Sequence, residues 1–244
     1  MTQEAQPPSA AAGSEADALR ARYARRAVAD WRYARINPAA LLAAQERERA
    51  LARLLLRHCG RELGARTLVE VGCGGGDNLL ELLRLGFRPD SLTGIELLDE
   101  RWAAARARLP AALSVLHGDA IAADIGAASV DFVLQSTVFS SLLDDAFQQR
   151  LAERMWSWVR PGGAVLWYDF IVDNPRNPYV RGVRPARMRA LFPEARIDAR
   201  RVTLAPPLAR AVVRVHPALY TAFNALPSLR THLLAWIEKP AEAP

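Results

Sequence analysis

The sequence predicts an α/β fold in which a mostly parallel β-sheet carries helices on both faces. Two observations indicate this class. Short apolar segments alternate with helical patterns through most of the chain and are joined by short connections. Residues 67–78, TLVEVGCGGGDN, run from a buried-strand pattern through three alternate glycines into the polar start of a helix. At 244 residues the chain suits one such domain with an appendage.

The N-terminal part of the chain precedes this pattern. Residues 1–17 hold almost no large apolar side chain, so we expect a disordered tail there. Residues 18–60 predict a helical segment, with a basic aromatic helix to Ile36 and a second helix from Asn37-Pro38 to Cys59-Gly60. The basic helix could pack on the protein's own core, on an acidic substrate or on a membrane surface.

The glycine-rich segment predicts a ligand site. Glycine has no Cβ, so it accepts positive φ and lets a ligand approach the backbone. Asp77 or Asn78 can cap the following helix, which ends at Gly86. Glu96 ends the next apolar segment about 20 residues later, where nucleotide-binding folds place the acid that takes a ribose diol. Asp77 stands where a dinucleotide fingerprint needs its third glycine, which disfavours a nicotinamide or flavin cofactor.

Five further strands and four further helices complete the expected α/β domain, residues 61–240. The strands are expected at 113–116, 130–134, 164–170, 195–205 and 232–238, and the helices at 99–109, 145–159, 185–192 and 206–224. The fourth strand ends at Gln135, Ser136 and Thr137, followed by Phe139. We expect these side chains to face the crevice where open α/β sheets bind ligands.

Four motifs in this order resemble those of the class I S-adenosylmethionine-dependent methyltransferases. Residues 70–76, EVGCGGG, resemble the E/D-x-G-x-G-x-G motif, and Glu96 matches the ribose-binding acid. Residues 117–120, HGDA, resemble the segment whose Asp faces the adenine. Residues 160–163, RPGG, resemble the turn before the fifth strand. The resemblance covers about residues 66–170.

This resemblance implies a Rossmann-like class I methyltransferase fold with a seven-stranded, mostly parallel sheet, an antiparallel last pair and an N-terminal helical lid. It implies S-adenosyl-L-methionine as the cofactor and acceptor-shaping insertions at 171–193 and 206–229. The implied cofactor-binding residues are Glu70, Gly72, Cys73, Gly74, Gly76, Asn78, Glu96, Leu97, Asp119, Ala120 and Gln135. The expected substrate-pocket residues are Tyr33, Ser136, Phe139, Tyr168 and Asn174.

The implied reaction is an in-line displacement at the sulfonium methyl group, to which holding the reactants in line contributes about 7–11 kcal/mol. A hydroxyl acceptor would gain a further factor of roughly 10²–10⁴ from a positioned base. Asp169 and His216 are the candidates, with His117 as a third. Each also has a structural reading: a turn carboxylate for Asp169, a helix end for His216 and part of the adenine loop for His117.

The acceptor is narrowed by motifs that the chain lacks. Residues 135–138, QSTV, replace the Asn/Asp-Pro-Pro-Tyr/Phe sequence with which amino methyltransferases grip adenine or glutamine, and no Pro-Cys dipeptide offers a nucleophile for cytosine. We therefore expect a small-molecule or glycan-type acceptor, methylated at oxygen. Two alternatives stay open: a non-catalytic cofactor-binding scaffold or regulator, and, favoured only by charge, an RNA methyltransferase.

Composition sets further bounds. The net charge of +6 would suit a nucleic-acid partner, but it comes from arginines spread over every segment, with Lys239 as the one lysine, so we do not expect such a partner. Two cysteines and four histidines show neither disulfide nor metal-ligand spacing, and we expect no metal. No apolar run approaches the ~20 residues of a membrane span, and the start lacks signal-peptide regions. We expect a cytoplasmic protein.

Overall fold

A computed structural model describes residues 11–24, 31–175 and 177–241. Within these ranges the strands form one seven-stranded sheet in the order β3-β2-β1-β4-β5-β7-β6. The strands are β1 (Leu68–Val71), β2 (Leu92–Glu96), β3 (Ser114–His117), β4 (Val130–Ser136), β5 (Val159–Phe170), β6 (Arg196–Leu204) and β7 (Arg230–Glu238). Strand β7 runs in the direction opposite to the other strands and pairs antiparallel with β5 and β6. The expected fold is confirmed.

Helices cover both faces of the sheet. They are α1 (Ala11–Ala24), α2 (Pro38–Cys59), α3 (Asp77–Leu85), α4 (Asp99–Arg108), α5 (Asp145–Trp158), α6 (Pro185–Leu191), α7 (Pro206–Val215) and α8 (Ala218–Asn224). Successive side chains of a strand point to opposite faces. Accordingly Val165 and Trp167 of β5 join the core beneath α5 and α6. Leu166, between them, joins the core beneath α2 and α3.

The predicted helix ends are confirmed in part. The Asn37 side chain accepts from the amide of Ala39 at 3.0 Å, and α2 ends at Gly60 with φ 69°. The expected cap of α3 by Asp77 or Asn78 is wrong, because Gly76 occupies the cap position in the left-handed conformation and no side chain caps it. The side-chain amide of Asn78 instead donates to the buried carboxylate of Glu70.

The N-terminal boundaries also differ from expectation. Helix α1 begins at Ala11, inside the expected disordered tail, while residues 1–10 lie outside the described ranges. Buried Glu15 accepts from the amide of Leu143 at 2.8 Å and from Arg22 at 2.8 Å. These contacts with a distant loop order a segment whose own composition could not. Of the helix expected to Ile36, residues 25–30 lie outside the described ranges, and Trp31–Tyr33 form a 3-10 turn.

The C-terminal insertion is divided as well. The expected single helix over 206–224 forms two helices, α7 and α8, which meet at His216 and Pro217. Proline has no backbone N–H to continue a helical ladder, so the chain turns there. In the described part of the chain no helix is long and apolar enough to cross a membrane.

One buried carboxylate joins three strands at the edge of the sheet opposite the glycine loop. The carboxylate of Asp131, at the start of β4, accepts from the Thr67 amide at 2.9 Å, just before β1. It also accepts from Arg160 of β5 at 2.6 Å and from Arg66 at 3.0 Å. Burial raises the pKa of Asp131, but the hydrogen bonds from Thr67 and the two guanidinium groups outweigh it and hold this pKa below its usual value.

We expect Asp131→Asn to lower the free energy of unfolding at pH 7 by about 1.5–3 kcal/mol, since hydrogen bonds to a charged group are lost. A carboxylate whose pKa falls on folding stabilises the fold above its unfolded pKa, about 3.9, and this contribution is lost as pH falls through the folded pKa. The deficit should therefore shrink below about pH 4. Urea unfolding from pH 3 to 7 measures it, with exposed Glu62→Gln as the control. A loss of unfolding free energy that is as large at pH 3 as at pH 7 would contradict the charged, hydrogen-bonded state of Asp131.

Candidate cofactor and acceptor site

Two cavities meet at the carboxyl ends of β1, β2 and β4. The first cavity, of about 110 Å³, lies between the tips of β1 and β2, the turn at 118–120 and helix α1. The second cavity, of about 520 Å³, lies between the glycine loop and helix α2. Arg101, Ser136 and Thr137 line both cavities. The two therefore form one continuous crevice.

The glycine loop requires glycine for two different reasons. At Gly72, with φ 66°, an added Cβ would lie 2.7 Å from a methyl carbon of Val138, so packing excludes any side chain. At Gly74, with φ 57°, an added Cβ would approach only the Arg101 guanidinium, at 3.9 Å. Left-handed backbone favours glycine there, and the space above it stays open to the second cavity. The loop thus offers bare backbone to a ligand.

Glu96 connects the tip of β2 to this loop. Its side chain is buried, with 4% of the residue exposed, and lies on the wall of the first cavity. One carboxylate oxygen accepts from the Gly74 amide at 2.7 Å, and the other accepts from the Leu98 amide at 2.9 Å. A carboxylate has about four lone-pair sites, so two remain for a ligand. A sugar diol is the kind of group that such an acceptor pair binds.

Glu70 lies behind the loop and lines neither cavity. Its side chain is fully buried and accepts from the side-chain amide of Asn78 at 2.5 Å. Burial raises the pKa of Glu70 to about 8 against the opposing hydrogen bond from Asn78. Within the described residues its second oxygen has no hydrogen-bond partner. Glu70 therefore holds the start of α3 and leaves one buried polar atom unsatisfied at the glycine loop.

The other expected cofactor-binding residues divide between the two cavities. Gly72, Leu97, Asp119 and Ala120 line the first, and Cys73, Gly74 and Asn78 line the second. Burial raises the pKa of the Cys73 thiol, which therefore stays protonated. Gly76 and Gln135 line neither cavity. An added Cβ at Gly76 would lie 2.9 Å from Leu109, so this glycine serves packing.

The turn after β4 is held in an unusual conformation. Thr137 has φ 58°, which is rare for a β-branched residue, and it lines both cavities. Its amide donates to the carbonyl of Tyr168 at 2.8 Å, and the Gln135 side chain accepts from the Val138 amide at 3.1 Å. Residues in such conformations persist where their surroundings over-determine them, often at functional sites. Gln135 thus shapes the crevice wall from behind.

Only some of the expected substrate-pocket residues line a cavity in the described structure. Ser136 and Tyr168 line the second cavity. Phe139 is completely buried in the core, with its ring centroid 4.6 Å from that of Trp167, because the turn directs it inward. Asn174 is exposed and lines neither cavity. The side chain of Tyr33 lies outside the described part of the structure.

The structure brings neither candidate base to the crevice. The carboxylate of Asp169 is fully buried and accepts from the amides of Ser140 at 3.1 Å and Phe170 at 3.0 Å. Burial raises its pKa to about 7 against these hydrogen bonds. His216 is exposed at the end of α7, where its Nδ1 accepts from the Ala218 amide at 3.2 Å. Both expectations are corrected: Asp169 holds a turn and His216 ends a helix.

His117, the third candidate, also lines neither cavity. Its Nε2 lies 2.7 Å from the carboxylate of Asp99, and its ring centroid lies 5.1 Å from that of Trp102. The acidic side chains that do line the crevice within the described ranges are Asp77, Glu96 and Asp119. These same ranges show no cluster of His, Cys, Asp and Glu residues suited to a metal ion.

Arg47 is a site residue that the sequence did not indicate. The segment 45–49 reads as a solvated helix face, yet Arg47 lines the second cavity. Its guanidinium donates to Glu81 at 2.9 Å and to the Ser136 hydroxyl at 3.3 Å, and it lies 5.4 Å from the Tyr168 ring centroid. No local pattern identifies these contacts, because they depend on how α2 packs over the sheet.

Tyr168 is fixed in place below Arg47. Its hydroxyl lies 3.0 Å from the Thr203 hydroxyl, and Glu46 accepts from the Thr203 amide at 3.0 Å. The His232 ring stacks on Tyr168 with centroids 5.0 Å apart. Burial raises the pKa of Tyr168 to about 12 and lowers that of His232 to about 4, so both are neutral at pH 7. The floor of the second cavity is therefore rigid and uncharged beneath an arginine.

Comparisons with known proteins agree with this geometry. A family model described as a methyltransferase domain matches residues 68–163. A search of curated proteins finds no match.

Solved structures show the same fold at low identity. The 1,6-didemethyltoxoflavin-N1-methyltransferase of Burkholderia thailandensis, with 1,6-didemethyltoxoflavin and S-adenosylhomocysteine bound, is 19% identical at a TM-score of 0.62; the match covers 96% of this chain and 93% of that one. The geranyl diphosphate C-methyltransferase of Streptomyces coelicolor A3(2) is 14% identical at 0.61, covering 96% and 100%. The [4+2]-cyclase SpnF is 15% identical at 0.56, covering 81% and 82%.

The family match spans β1, the glycine loop, Glu96 and Asp119, which are the elements that build the crevice. The sheet order and its antiparallel last pair agree with the same assignment. The family's cofactor is S-adenosylmethionine. Residues 68–163 thus match a methyltransferase-domain family, and the fold of the chain is similar to that of solved S-adenosylmethionine-dependent methyltransferases.

Proposed function

We propose that this protein binds S-adenosylmethionine in the crevice and transfers its methyl group to a small-molecule or glycan-type acceptor, at oxygen. One observation carries the proposal: the glycine loop and the Glu96 carboxylate are hydrogen-bonded to each other at the junction of two connected cavities. Bare backbone and a diol acceptor thus stand side by side, as an adenosyl ligand requires.

The residues present fit this cofactor. Glu96 would accept from the ribose diol, and Asp119, in the first cavity, would face the adenine. Gly74 and Asn78 of the glycine loop, in the second cavity, would lie beside the methionine end. When bound, S-adenosylmethionine would supply a methyl group on a positively charged sulfur. The acceptor atom would bond to the methyl carbon while the electron pair of the sulfur–carbon bond stays on sulfur.

The chain's own contribution is orientation and exclusion of water. No carboxylate among the described lining residues is placed as a base, because Glu96 and Asp119 accept from backbone amides and Asp77 pairs with Arg108. Holding nucleophile and carbon in line is worth about 7–11 kcal/mol, which can suffice for an acceptor that is already ionised. An acceptor oxygen that is ionised near neutral pH fits this site best.

The small-molecule class has support from the similar structures. The Burkholderia protein was crystallised with 1,6-didemethyltoxoflavin and the Streptomyces protein with geranyl diphosphate. Those two are N- and C-methyltransferases by their names, so they do not bear on the acceptor atom here. The acceptor of this chain and its oxygen atom are parts of the proposal.

A non-catalytic or differently catalytic role is the second candidate. The described lining residues include no placed base, and the [4+2]-cyclase SpnF shares the fold. Incubating the protein and methyl-labelled cofactor with cell extract separates the two candidates. Label transferred to a small molecule by the wild type supports methyl transfer, whereas cofactor binding without transfer favours a scaffold.

Helix α1 forms the roof of the first cavity. Leu19 and Tyr23 line it, and the Tyr23 hydroxyl lies 3.3 Å from that of Ser141. Arg22 donates to the Ser141 carbonyl at 2.9 Å, while Glu15 pairs with Arg22 and accepts from the Leu143 amide. The lid was expected within residues 18–60, but the contacts that hold it begin at Glu15.

We expect Glu96→Ala to weaken S-adenosylhomocysteine binding by roughly 10- to 150-fold, because charge-assisted hydrogen bonds worth about 1.5–3 kcal/mol are lost. Calorimetric titration of both proteins measures the change. Glu100→Ala, an exposed acid on the adjacent helix, is the matched control and should leave affinity unchanged. Equal affinity of wild type and Glu96→Ala would refute the ribose assignment.

We expect Glu15→Ala to loosen α1 and raise the dissociation rate of S-adenosylhomocysteine by about tenfold, since one charge-assisted contact between lid and loop is removed. Stopped-flow displacement measures this rate. Asp17→Ala changes an exposed acid of the same helix and should leave the rate as in the wild type. If Glu15→Ala also leaves the dissociation rate unchanged, α1 does not retain the cofactor.

A further inference from the structure

We propose that the methyl acceptor carries an anionic group, a carboxylate or a phosphate, which Arg35, Arg47 and Arg101 bind in the second cavity. The inference rests on the proposed function and names the chemical class of its substrate. It comes from the distribution of charge along the crevice.

Charges are separated between the two cavities. Among the described residues, the first cavity has the two carboxylates of Glu96 and Asp119 on its wall, and Arg101 lies where it joins the second cavity. The second cavity has three guanidinium groups and a single carboxylate, that of Asp77. Arg108, outside the cavity, already pairs with Asp77 at 2.6 Å. The second cavity is therefore strongly positive.

Arg47 is held in position with donors to spare. Its contacts with Glu81 and Ser136 use two of the five N–H groups of a guanidinium. Glu81 is buried and lies 2.9 Å from the Arg47 guanidinium, so it anchors Arg47 from below without lining the cavity. Within the described residues, Arg35 and Arg101 form no ion pair with a carboxylate. Arg101 instead lies over the Tyr23 ring, with Cζ 4.5 Å from its centroid, which leaves its donor edge available.

The proposed cofactor does not neutralise this charge. S-adenosylmethionine brings one carboxylate, one ammonium and one sulfonium, so its binding adds one positive charge. Its carboxylate can satisfy one arginine, which leaves the equivalent of two cations next to the sulfonium. Guanidinium groups bind carboxylate and phosphate oxygens in bidentate geometry. An anionic acceptor would offset the excess charge and be held next to the methyl group.

The size of the second cavity agrees with this reading. About 520 Å³ lies within the range of roughly 300–1,000 Å³ that small-molecule sites occupy. It is open at the side of Arg35, an exposed residue that precedes α2. A substrate could thus enter with its charged group first, guided by Arg35 toward Arg47 and Arg101.

The test uses inorganic phosphate as the probe and protein saturated with S-adenosylhomocysteine. Calorimetric titration at low ionic strength, against sodium chloride of equal ionic strength, should show one phosphate bound per chain. Arg35→Gln and Arg101→Gln should each weaken this binding by about tenfold or more, the loss of one charge-assisted contact. Arg61→Gln, an exposed arginine outside both cavities, should not. Two separate variants keep the test decisive if one fails to fold.

Three results would overturn the inference. One is no phosphate binding to the saturated protein. Another is binding that both variants leave unchanged, which would mark a site elsewhere. The third is phosphate binding to the free protein that is lost when S-adenosylhomocysteine is added. This result would show that the arginines serve only the cofactor's carboxylate. A failure of S-adenosylhomocysteine itself to bind is seen in the first titration and would overturn the proposed function as well.

Discussion

The site depends on the hydrogen bond between the Glu96 carboxylate and the Gly74 amide, 2.7 Å long. It joins two neighbouring strands at their carboxyl ends and fixes a loop whose backbone is left-handed at Gly72, Gly74 and Gly76. A second bond, to Leu98, sets the start of α4 and thereby the position of Arg101. One buried carboxylate thus determines the wall of the first cavity, the floor of the loop and the residue where the two cavities meet.

The charge distribution follows from this arrangement. Acids at the tips of β2 and after β3 supply acceptors for a polar nucleoside, while the arginines come from helices that pack over the glycine loop. Arg47 is stabilised by an acid on α3, which the same loop starts. The crevice therefore has an acidic half and a basic half, with the methyl transfer expected between them. In the proposed reaction, orientation in this field takes the place of a dedicated base, since Asp169 and His216 lie elsewhere.

Features that depend on local sequence could be predicted. The strand before the glycines, the acid at position 96 and the start of α2 at Asn37 follow from spacing over a few residues. Features that depend on distant packing could not. Arg47 reads as part of a solvated helix face until α2 is seen above β4. Asp169 stands at the expected sheet edge, but its carboxylate turns back to the Ser140 amide because the turn after β4 requires an acceptor there. Helix α1 is ordered by a loop more than a hundred residues away.

A crystal structure with S-adenosylhomocysteine bound is the most direct measurement of the central claim. We expect the ribose hydroxyls within hydrogen-bonding distance of Glu96, the adenine in the first cavity beneath Tyr23, and the homocysteine end between the glycine loop and Arg47. A nucleoside bound elsewhere, or a Glu96 carboxylate that contacts only Gly74 and Leu98 in the complex, would contradict it.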